Sequence, residues 1–221
     1  MLGRKIIKVP YIDQTKDWPT GCECVSTVML LQYLGYDVTV ETFVDQFVET
    51  EPFENVGGQL LGADPRVHFA GHPKDPESMG CYAPVICKAI DRYLDFQSGV
   101  SDSHMQTSSG QGAGEKRAVD LTGCSMEILL KEYIDRDKPV VFWAAIDMKE
   151  PIYGPDWVIR ATGEPFSWIS NEHCMLLVGY DDTHYYFNDP WHNHGCIAYD
   201  RTIVEDRHKV QYSMAVSVID D

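Results

Sequence analysis

Three side chains at distant positions have the chemistry that a thiol-dependent acyl reaction requires. Cys22 lies near the start of TGCECVSTVMLLQYLG, His173 lies in EHCMLLVGYDD, and Asp189 lies in FNDPW. A thiol becomes a good nucleophile when a base accepts its proton, and a carboxylate can fix the tautomer of that base and stabilise its charged form. The order of cysteine, histidine and aspartate therefore predicts a nucleophile, its general base and an orienting acceptor.

The predicted nucleophile lies at the start of a helix. Apolar residues recur at helical spacing from Cys22 to about Leu34, between Gly21 and Gly35. Unpaired N–H groups at a helix N-terminus favour a negative charge, so we expect a lowered thiol pKa at Cys22. The alternative is that Cys22 is a packed core thiol, and we assign that role to Cys24, which points about 200° around the helix.

His173 and Asp189 begin and end a predicted β-hairpin. Paired residue numbers in an antiparallel hairpin have a constant sum, so two odd-numbered residues share a face only if that sum is even. We therefore predict a pairing such as 175 with 189, with an odd connection around Asp182 or a bulge. Asn188 should then point to the opposite face. A strand-end histidine and an Asp-Pro turn are also common structural features, which is the alternative interpretation of both residues.

A further polar side chain precedes the cysteine. Gln14 lies 22 − 14 = 8 residues before Cys22. Its amide could join the backbone N–H of Cys22 in binding a developing oxyanion. This assignment depends on the other three residues acting together.

The composition limits the partners and the compartment. The chain has 221 residues and a net charge of −16, which argues against nucleic acid and anionic membrane surfaces. We find no apolar stretch long enough to span a membrane and no secretory signal, so we expect no membrane insertion. A cytoplasmic location is expected for the sequence as written, and export if a signal has been removed. The oligomeric state is unknown.

The other metal and cysteine patterns are weak. Seven cysteines form no recognisable disulfide framework, and the spacing of Cys22 and Cys24 does not match zinc ribbons or redox sites. His192 and His194 could chelate a metal, but no third ligand at a suggestive spacing accompanies them. We therefore predict no cofactor and no metal.

Predicted elements give an α+β fold, with a helical N-terminal half packed on a C-terminal antiparallel sheet. Helices are expected at about 22–34, 39–48, 83–94 and 125–136, and strands at 138–146, 173–180, 185–188, 196–199 and 211–219. Residues 51–81 are expected to form an ordered loop. We predict one domain over 1–221, with a helical lobe at about 1–136, a β lobe at about 137–221 and a flexible Ser/Gly-rich insertion at about 97–117.

Four ordered motifs together resemble a known family. They are TGCECVSTVMLLQYLG, LTGCSMEILLKEYIDRDKPVVFWA, EHCMLLVGYDD and FNDPW. They resemble the bacterial papain-like cysteine peptidases related to the double-glycine-leader (bacteriocin-processing) peptidases. The separation of Cys22 and His173, 173 − 22 = 151, is also close to the ~130–150 residues of papain-type pairs.

The resemblance implies a papain-like fold and a thiol hydrolase that cleaves peptide or related amide bonds. It assigns Cys22 as the nucleophile, His173 as the base, Asp189 as the orienting residue and Gln14 as the oxyanion donor. The expected partner is a peptide or protein substrate, with its binding walls in parts of 51–81 and 147–170. The alternatives are an acyltransferase or transamidase with the same triad, and a catalytically silent peptide-binding domain.

Overall fold

The computed structural model describes residues 3–99 and 116–220. The helices are α1 (Cys22–Tyr33), α2 (Val40–Phe47), α3 (Ala83–Ser98), α4 (Met126–Ile128) and α5 (Arg201–Val210). The strands of the first half are β1 (Lys5–Ile6), β2 (Thr50–Glu51), β3 (Glu54–Val56), β4 (Gln59–Gly62), β5 (Phe69–Ala70) and β6 (Lys116–Asp120). Those of the second half are β7 (Val140–Ala145), β8 (Tyr153–Ile159), β9 (Pro165–Ile169), β10 (Glu172–Tyr180), β11 (His184–Asp189), β12 (Gly195–Asp200) and β13 (Ala215–Asp220).

One seven-stranded sheet forms the centre of the molecule. Its strand order is β12-β11-β10-β7-β13-β6, and β1 pairs with the far end of β10. All of these pairings are antiparallel. Every residue of β7 and β10 is buried, as the long apolar runs of the sequence predict for central strands. The predicted α+β arrangement is therefore present, although strands from the first half of the chain also enter the sheet.

The first helix packs against the central strands β10 and β7 of this sheet. Ten of its twelve residues are buried, so the helix lies inside the molecule rather than on its surface. The hydroxyl groups of Ser26 and Thr27 in this helix both have hydrogen-bond acceptors. Ser26 donates its hydroxyl to the carbonyl of Cys174 at 3.2 Å, and Thr27 donates to the carbonyl of Glu23 at 2.7 Å. The sheet thus fixes the position of the N-terminal end of α1.

A β-bulge sets the register of the β10–β11 hairpin. Next to the turn, Tyr180 pairs with Tyr185, a sum of 180 + 185 = 365. Beyond the irregularity at Leu177 to Gly179, Leu176 pairs with Asn188, a sum of 176 + 188 = 364. The predicted even sum therefore occurs at the end of the hairpin where His173 and Asp189 lie, and the bulge changes the register there. An unbulged hairpin with the same turn would put the two side chains on opposite faces.

Several other elements differ from the sequence-based predictions. Residues 51–81 are not a loop throughout, because they contain β3, β4 and β5, and β4 pairs in parallel with β8. The helix at 125–136 begins at Ser125 as predicted but is irregular, since a π-helical turn at Leu129–Tyr133 and a 3₁₀ turn at Ile134–Arg136 follow α4. The strand predicted at 211–219 begins only at Ala215, because the positive φ values of Tyr212 and Ser213 turn the chain.

The predicted flexible insertion at 97–117 lies mainly outside the described residues. Residues 97–98 belong to the end of α3, and residues 116–117 begin β6. No helix within 3–99 and 116–220 is long and apolar enough to cross a membrane.

The helix α5, which the sequence did not predict, places a histidine in the core. The His208 ring is buried and stacks on Phe142 with ring centroids 3.8 Å apart, and its Nδ1 lies 2.9 Å from the carbonyl oxygen of Trp143. Its Nε2 is buried without a hydrogen-bond partner. Burial lowers the pKa of His208 to about 4, because the neutral ring is favoured where water is excluded.

This buried histidine predicts a loss of stability in mild acid. The unfolded chain binds a proton at His208 below about pH 6.5, whereas the folded chain binds it only below about pH 4. The contribution of the neutral His208 ring to the free energy of unfolding is therefore fully present above pH 6.5. It is lost as the pH falls towards 4, and the total loss is about 3 kcal/mol. Urea unfolding of His208→Phe between pH 7 and 4 should show a clearly smaller decrease in the free energy of unfolding than wild type.

His184→Gln is the matched control, because the His184 side chain is exposed near the turn of the β10–β11 hairpin. It should retain the wild-type pH dependence. Equal slopes for wild type and His208→Phe would show that a different group causes the loss in acid.

Candidate active site

Cys22 is the first residue of α1, with Gly21 at the cap position. A Cβ on Gly21 would lie 3.1 Å from the Cβ atoms of both Trp18 and Pro73, so the chain approaches these residues closely just before the helix. The backbone N–H of Cys22 belongs to the first turn, where N–H groups have no acceptor within the helix. Cys22 is 5% exposed as a residue and lies in the wall of an open cavity of about 250 Å³.

His173 lies on β10 and Asp189 at the end of β11, on the same face of the sheet. His173 Nε2 lies 2.7 Å from Asp189 Oδ1. His173 also lines the cavity that Cys22 lines. Since Nε2 faces the carboxylate, Nδ1 is the ring nitrogen that remains to exchange a proton with a group in the cavity.

Asp189 is held by donors on several sides. Its two oxygens accept from the backbone N–H of Trp191 at 3.0 Å, from His194 Nδ1 at 3.0 Å and from the Tyr199 hydroxyl at 2.9 Å, in addition to His173. Burial would raise the pKa of Asp189, but these hydrogen bonds and the charge of His173 hold it well below its usual value. Asp189 is therefore a carboxylate with a fixed orientation.

The neighbouring Asn188 points to the other side, as predicted. Its amide donates to the carbonyl oxygens of Val9 and Pro10, both at 3.2 Å. Asn188 and Asp189 therefore bind different partners, because alternate strand residues face opposite sides of a sheet.

Gln14 also lines the cavity and is 1% exposed. Its Nε2 lies 3.3 Å from the carbonyl oxygen of Trp18 and 3.4 Å from that of Pro19. The structure therefore brings all four of the residues selected from the sequence to a common cavity or, for Asp189, to hydrogen-bond distance of a residue that lines it.

Both predicted segments, 51–81 and 147–170, contribute part of the cavity lining. The first segment supplies Ser78 and Met79, and the second supplies Trp168 and Ser170. Trp157, in contrast, is buried in the core and donates its indole N–H to the carbonyl of Ala63 at 2.8 Å. Trp168 therefore lines this cavity, whereas Phe166 lines a separate pocket with Tyr82.

Two buried glutamates beside the cysteine were missed by the sequence analysis. Glu23 Oε1 accepts from the backbone N–H of Cys81 at 2.6 Å, and its Oε2 lies 3.4 Å from the Sγ of Cys22. Glu172 also lines the cavity, and its Oε1 is buried without a hydrogen-bond partner. Their positions in the sequence could have identified them. Glu23 directly follows the cysteine and Glu172 directly precedes the histidine, in segments that are otherwise largely apolar.

The glutamates change the expected electrostatics of the thiol. Burial raises the pKa of Glu23 to about 7, and burial together with Glu23 raises the pKa of Glu172 well above its usual value. Burial and these two carboxyls also raise the pKa of the Cys22 thiol well above its usual value. The lowered pKa that we expected from the helix N-terminus is therefore wrong in direction, because desolvation and neighbouring acids outweigh the helix. At neutral pH the Cys22 side chain is therefore a thiol rather than a thiolate.

Among the described residues, one group of three could hold a metal ion, and it consists of Cys22, Glu23 and Glu172. The two histidines that the sequence suggested as metal ligands make other contacts. His194 faces Asp189, and the His192 ring packs against Trp191 with centroids 4.4 Å apart.

Comparison with known proteins finds a matching family, a related sequence and a related structure. The model of the Peptidase_C39-like family matches residues 6–216. The uncharacterised protein YvpB of Bacillus subtilis (strain 168) is 29% identical over 203 residues, which cover 90% of this chain and 68% of YvpB. A crystal structure of a protein from Bacillus anthracis, provisionally described as a C39-like peptidase, has a TM-score of 0.77 and 25% sequence identity, with 98% of both chains covered.

A helix that begins at the cysteine and packs on an antiparallel sheet carrying the histidine defines a papain-like fold. The chain belongs to the Peptidase_C39-like family. This family assignment agrees with the resemblance noted from the four sequence motifs.

Proposed function

We propose that the protein is a thiol hydrolase that cleaves peptide or related amide bonds through an acyl-enzyme intermediate. One observation carries this proposal. A histidine paired with a buried carboxylate at 2.7 Å lines the same cavity as a cysteine at the start of a buried helix. A nucleophile and an oriented base that share an accessible cavity are the minimum requirement for this chemistry.

The reaction begins with proton transfer. Nδ1 of His173 accepts the Cys22 proton as the sulfur attacks the substrate carbonyl carbon, which forms a C–S bond and an oxyanion. Asp189 accepts from Nε2 and stabilises the imidazolium that results. The raised thiol pKa favours this concerted use of a base over a thiolate that is present before the substrate binds.

The second half releases the two products. The intermediate collapses with cleavage of the C–N bond, and His173 donates its proton to the leaving amine. His173 then accepts a proton from a water molecule, which attacks the thioester, and the carboxylic acid leaves with return of the proton to Cys22. The Gln14 amide and the backbone N–H of Cys22 are assigned as oxyanion donors.

The direct test uses a peptide library together with a peptidyl vinyl sulfone. The probe requires a productive thiol, base and binding cleft, whereas iodoacetamide requires only an accessible thiolate. We expect the vinyl sulfone to modify Cys22 selectively and to block cleavage, with Cys196 as the exposed internal comparison. An absence of cleavage, with Cys22 modified no faster than Cys196, would instead support a silent binding domain.

The role of Gln14 gives a separate prediction. Gln14→Ala should lower kcat by about 10²–10³-fold with a small change in KM, because the lost N–H acts on a charge that develops in the transition state. Gln32→Ala is the matched control, since the Gln32 amide donates to the carbonyl of Val38 at 2.9 Å, outside the cavity-lining set. Steady-state kinetics with one cleaved peptide would measure both. An increase in KM with unchanged kcat would show that Gln14 contributes to substrate binding instead.

A further inference from the structure

Two buried carboxyl groups next to the nucleophile have no task in the proposed reaction. The Sγ of Cys22, one oxygen of Glu23 and one oxygen of Glu172 all lie within 4.8 Å of one another. Their side chains belong to residues that are 5%, 0% and 7% exposed. A thiol and two carboxyls therefore converge at one point of the cavity wall.

The surrounding backbone holds this cluster in place. The first turn of α1 supplies Cys22 and Glu23, and the first residue of β10 supplies Glu172. The segment before α3 closes over them, since a Cβ on Gly80 would lie 2.4 Å from Glu23 Oε1 and 3.3 Å from Glu172 Oε2. The N–H of Cys81 also fixes Glu23 Oε1 at 2.6 Å. A side chain at position 80 would therefore have to displace the carboxyl group of Glu23.

One carboxyl oxygen of Glu172 has no hydrogen-bond donor. Glu172 Oε1 is buried and has no hydrogen-bond partner. A buried carboxyl oxygen without a hydrogen-bond partner is costly, and ionising two adjacent buried carboxyl groups without a cation between them costs more. A cation bound between the two groups would remove both penalties.

We propose that Cys22, Glu23 and Glu172 form a binding site for Zn²⁺. The donor set of one sulfur and two carboxylate oxygens suits zinc, because thiolate ligands disfavour magnesium and calcium. Tetrahedral zinc with bonds of about 2.3 Å to sulfur and about 2.0 Å to oxygen separates these two ligands by about 3.5 Å. The observed distance from Cys22 Sγ to Glu23 Oε2 is 3.4 Å.

Other features of a zinc site are also present. Three protein ligands leave a fourth position for water, and Cys22 and Glu172 both line the open cavity through which an ion can enter. The hydrogen bond from Cys81 to Glu23 is the outer contact that orients a ligand. The consequence for activity rests on the proposed function. Zinc occupies the nucleophilic sulfur, so it inhibits hydrolysis reversibly, and a chelator restores the activity.

The test measures Zn²⁺ binding itself, so it does not depend on activity. Reduced, tag-free protein is titrated with Zn²⁺ in a calorimeter and, separately, with Co²⁺, which reports a bound thiolate through a charge-transfer absorption band. We expect one ion per chain. Glu172→Gln and Glu23→Gln should each weaken the affinity by at least about tenfold, and Cys22→Ala should abolish the band. Glu164→Gln, at an exposed position, should leave the affinity unchanged.

The rival arrangement is a zinc ion bound by Cys22 and His173. It predicts that His173→Ala removes binding and that Glu172→Gln does not, and this result would overturn the proposal.

Thermal unfolding of each variant checks that it is folded, and the glutamine variants keep an acceptor for the Cys81 N–H. If zinc binds without inhibiting peptide cleavage, the metal site stands and only its effect on the enzyme is overturned. If the metal-free protein cleaves no peptide, the result counts against the proposed function alone.

Discussion

Cys22→Ala is expected to lower kcat for peptide hydrolysis by about 10⁵-fold or more, to the level of the uncatalysed background. Removal of the nucleophile eliminates the covalent intermediate, and the remaining His173–Asp189 pair has no thiol proton to accept. The methyl side chain is smaller than the thiol and leaves the helix intact, so the variant should still fold. Cleavage of a peptide from the library, followed by mass spectrometry over long incubation, measures the residual rate.

Cys24→Ala is the matched control for this experiment. Cys24 lies two residues further along α1 and is fully buried in the core. Its replacement should lower the free energy of unfolding by about 1 kcal/mol and leave kcat close to the wild-type value. Equal losses of activity in both variants would indicate a general effect on the helix, and normal activity of Cys22→Ala would exclude Cys22 as the nucleophile.

The fold and the grouping of the candidate site residues could be predicted because each depends on a strong local pattern. The apolar spacing after Gly21 predicted that a helix begins at Cys22, and α1 begins there. The parity of residue numbers then required an even register between His173 and Asp189. The bulge after Leu177 provides that register. This prediction did not require knowledge of the turn itself.

The missed features depend on contacts between distant parts of the chain. Nothing in the local sequence shows that Glu23 lies against Glu172, because β10 and α1 meet only in the folded molecule. For the same reason, the helix N-terminus alone gave the wrong direction for the pKa of Cys22. The direction follows from burial and from two carboxyls, one of which is 150 residues away in sequence, 172 − 22 = 150.

The helix α5 was missed for a different reason. Its sequence, RTIVEDRHKV, is largely polar, and only Val204 and His208 are buried. Such a short, mostly exposed helix has a weak periodic signal. Asp200 marks its start, since its side chain accepts from the backbone N–H of Thr202.

Asp189→Asn is expected to lower kcat by about 10⁴-fold while KM changes little. The amide keeps the size of the carboxylate but loses its charge, so it no longer stabilises the imidazolium and can favour the wrong tautomer of His173. The same change should reduce stability at neutral pH, because the folded carboxylate accepts from four donors and its pKa is held below the unfolded value. The stability that the Asp189 carboxylate contributes is present above its pKa in the unfolded chain and is lost as the pH falls towards its pKa in the folded chain. Wild type and variant should therefore converge in stability in acid.

Asp181→Asn separates the effect on catalysis from the effect on stability. Asp181 follows the other end of β10, and its carboxylate accepts from Thr183, His184 and Tyr186, so its pKa is also lowered by hydrogen bonds. Its replacement should therefore reduce stability in the same pH-dependent way and leave kcat unchanged. If Asp189→Asn loses stability but retains kcat, the carboxylate only supports the fold, and His173 must be oriented by the packing of its ring, which lies 6.2 Å from that of Trp191. A large loss of kcat in Asp189→Asn alone would show that the carboxylate supports catalysis, by orienting His173 and stabilising its charged form.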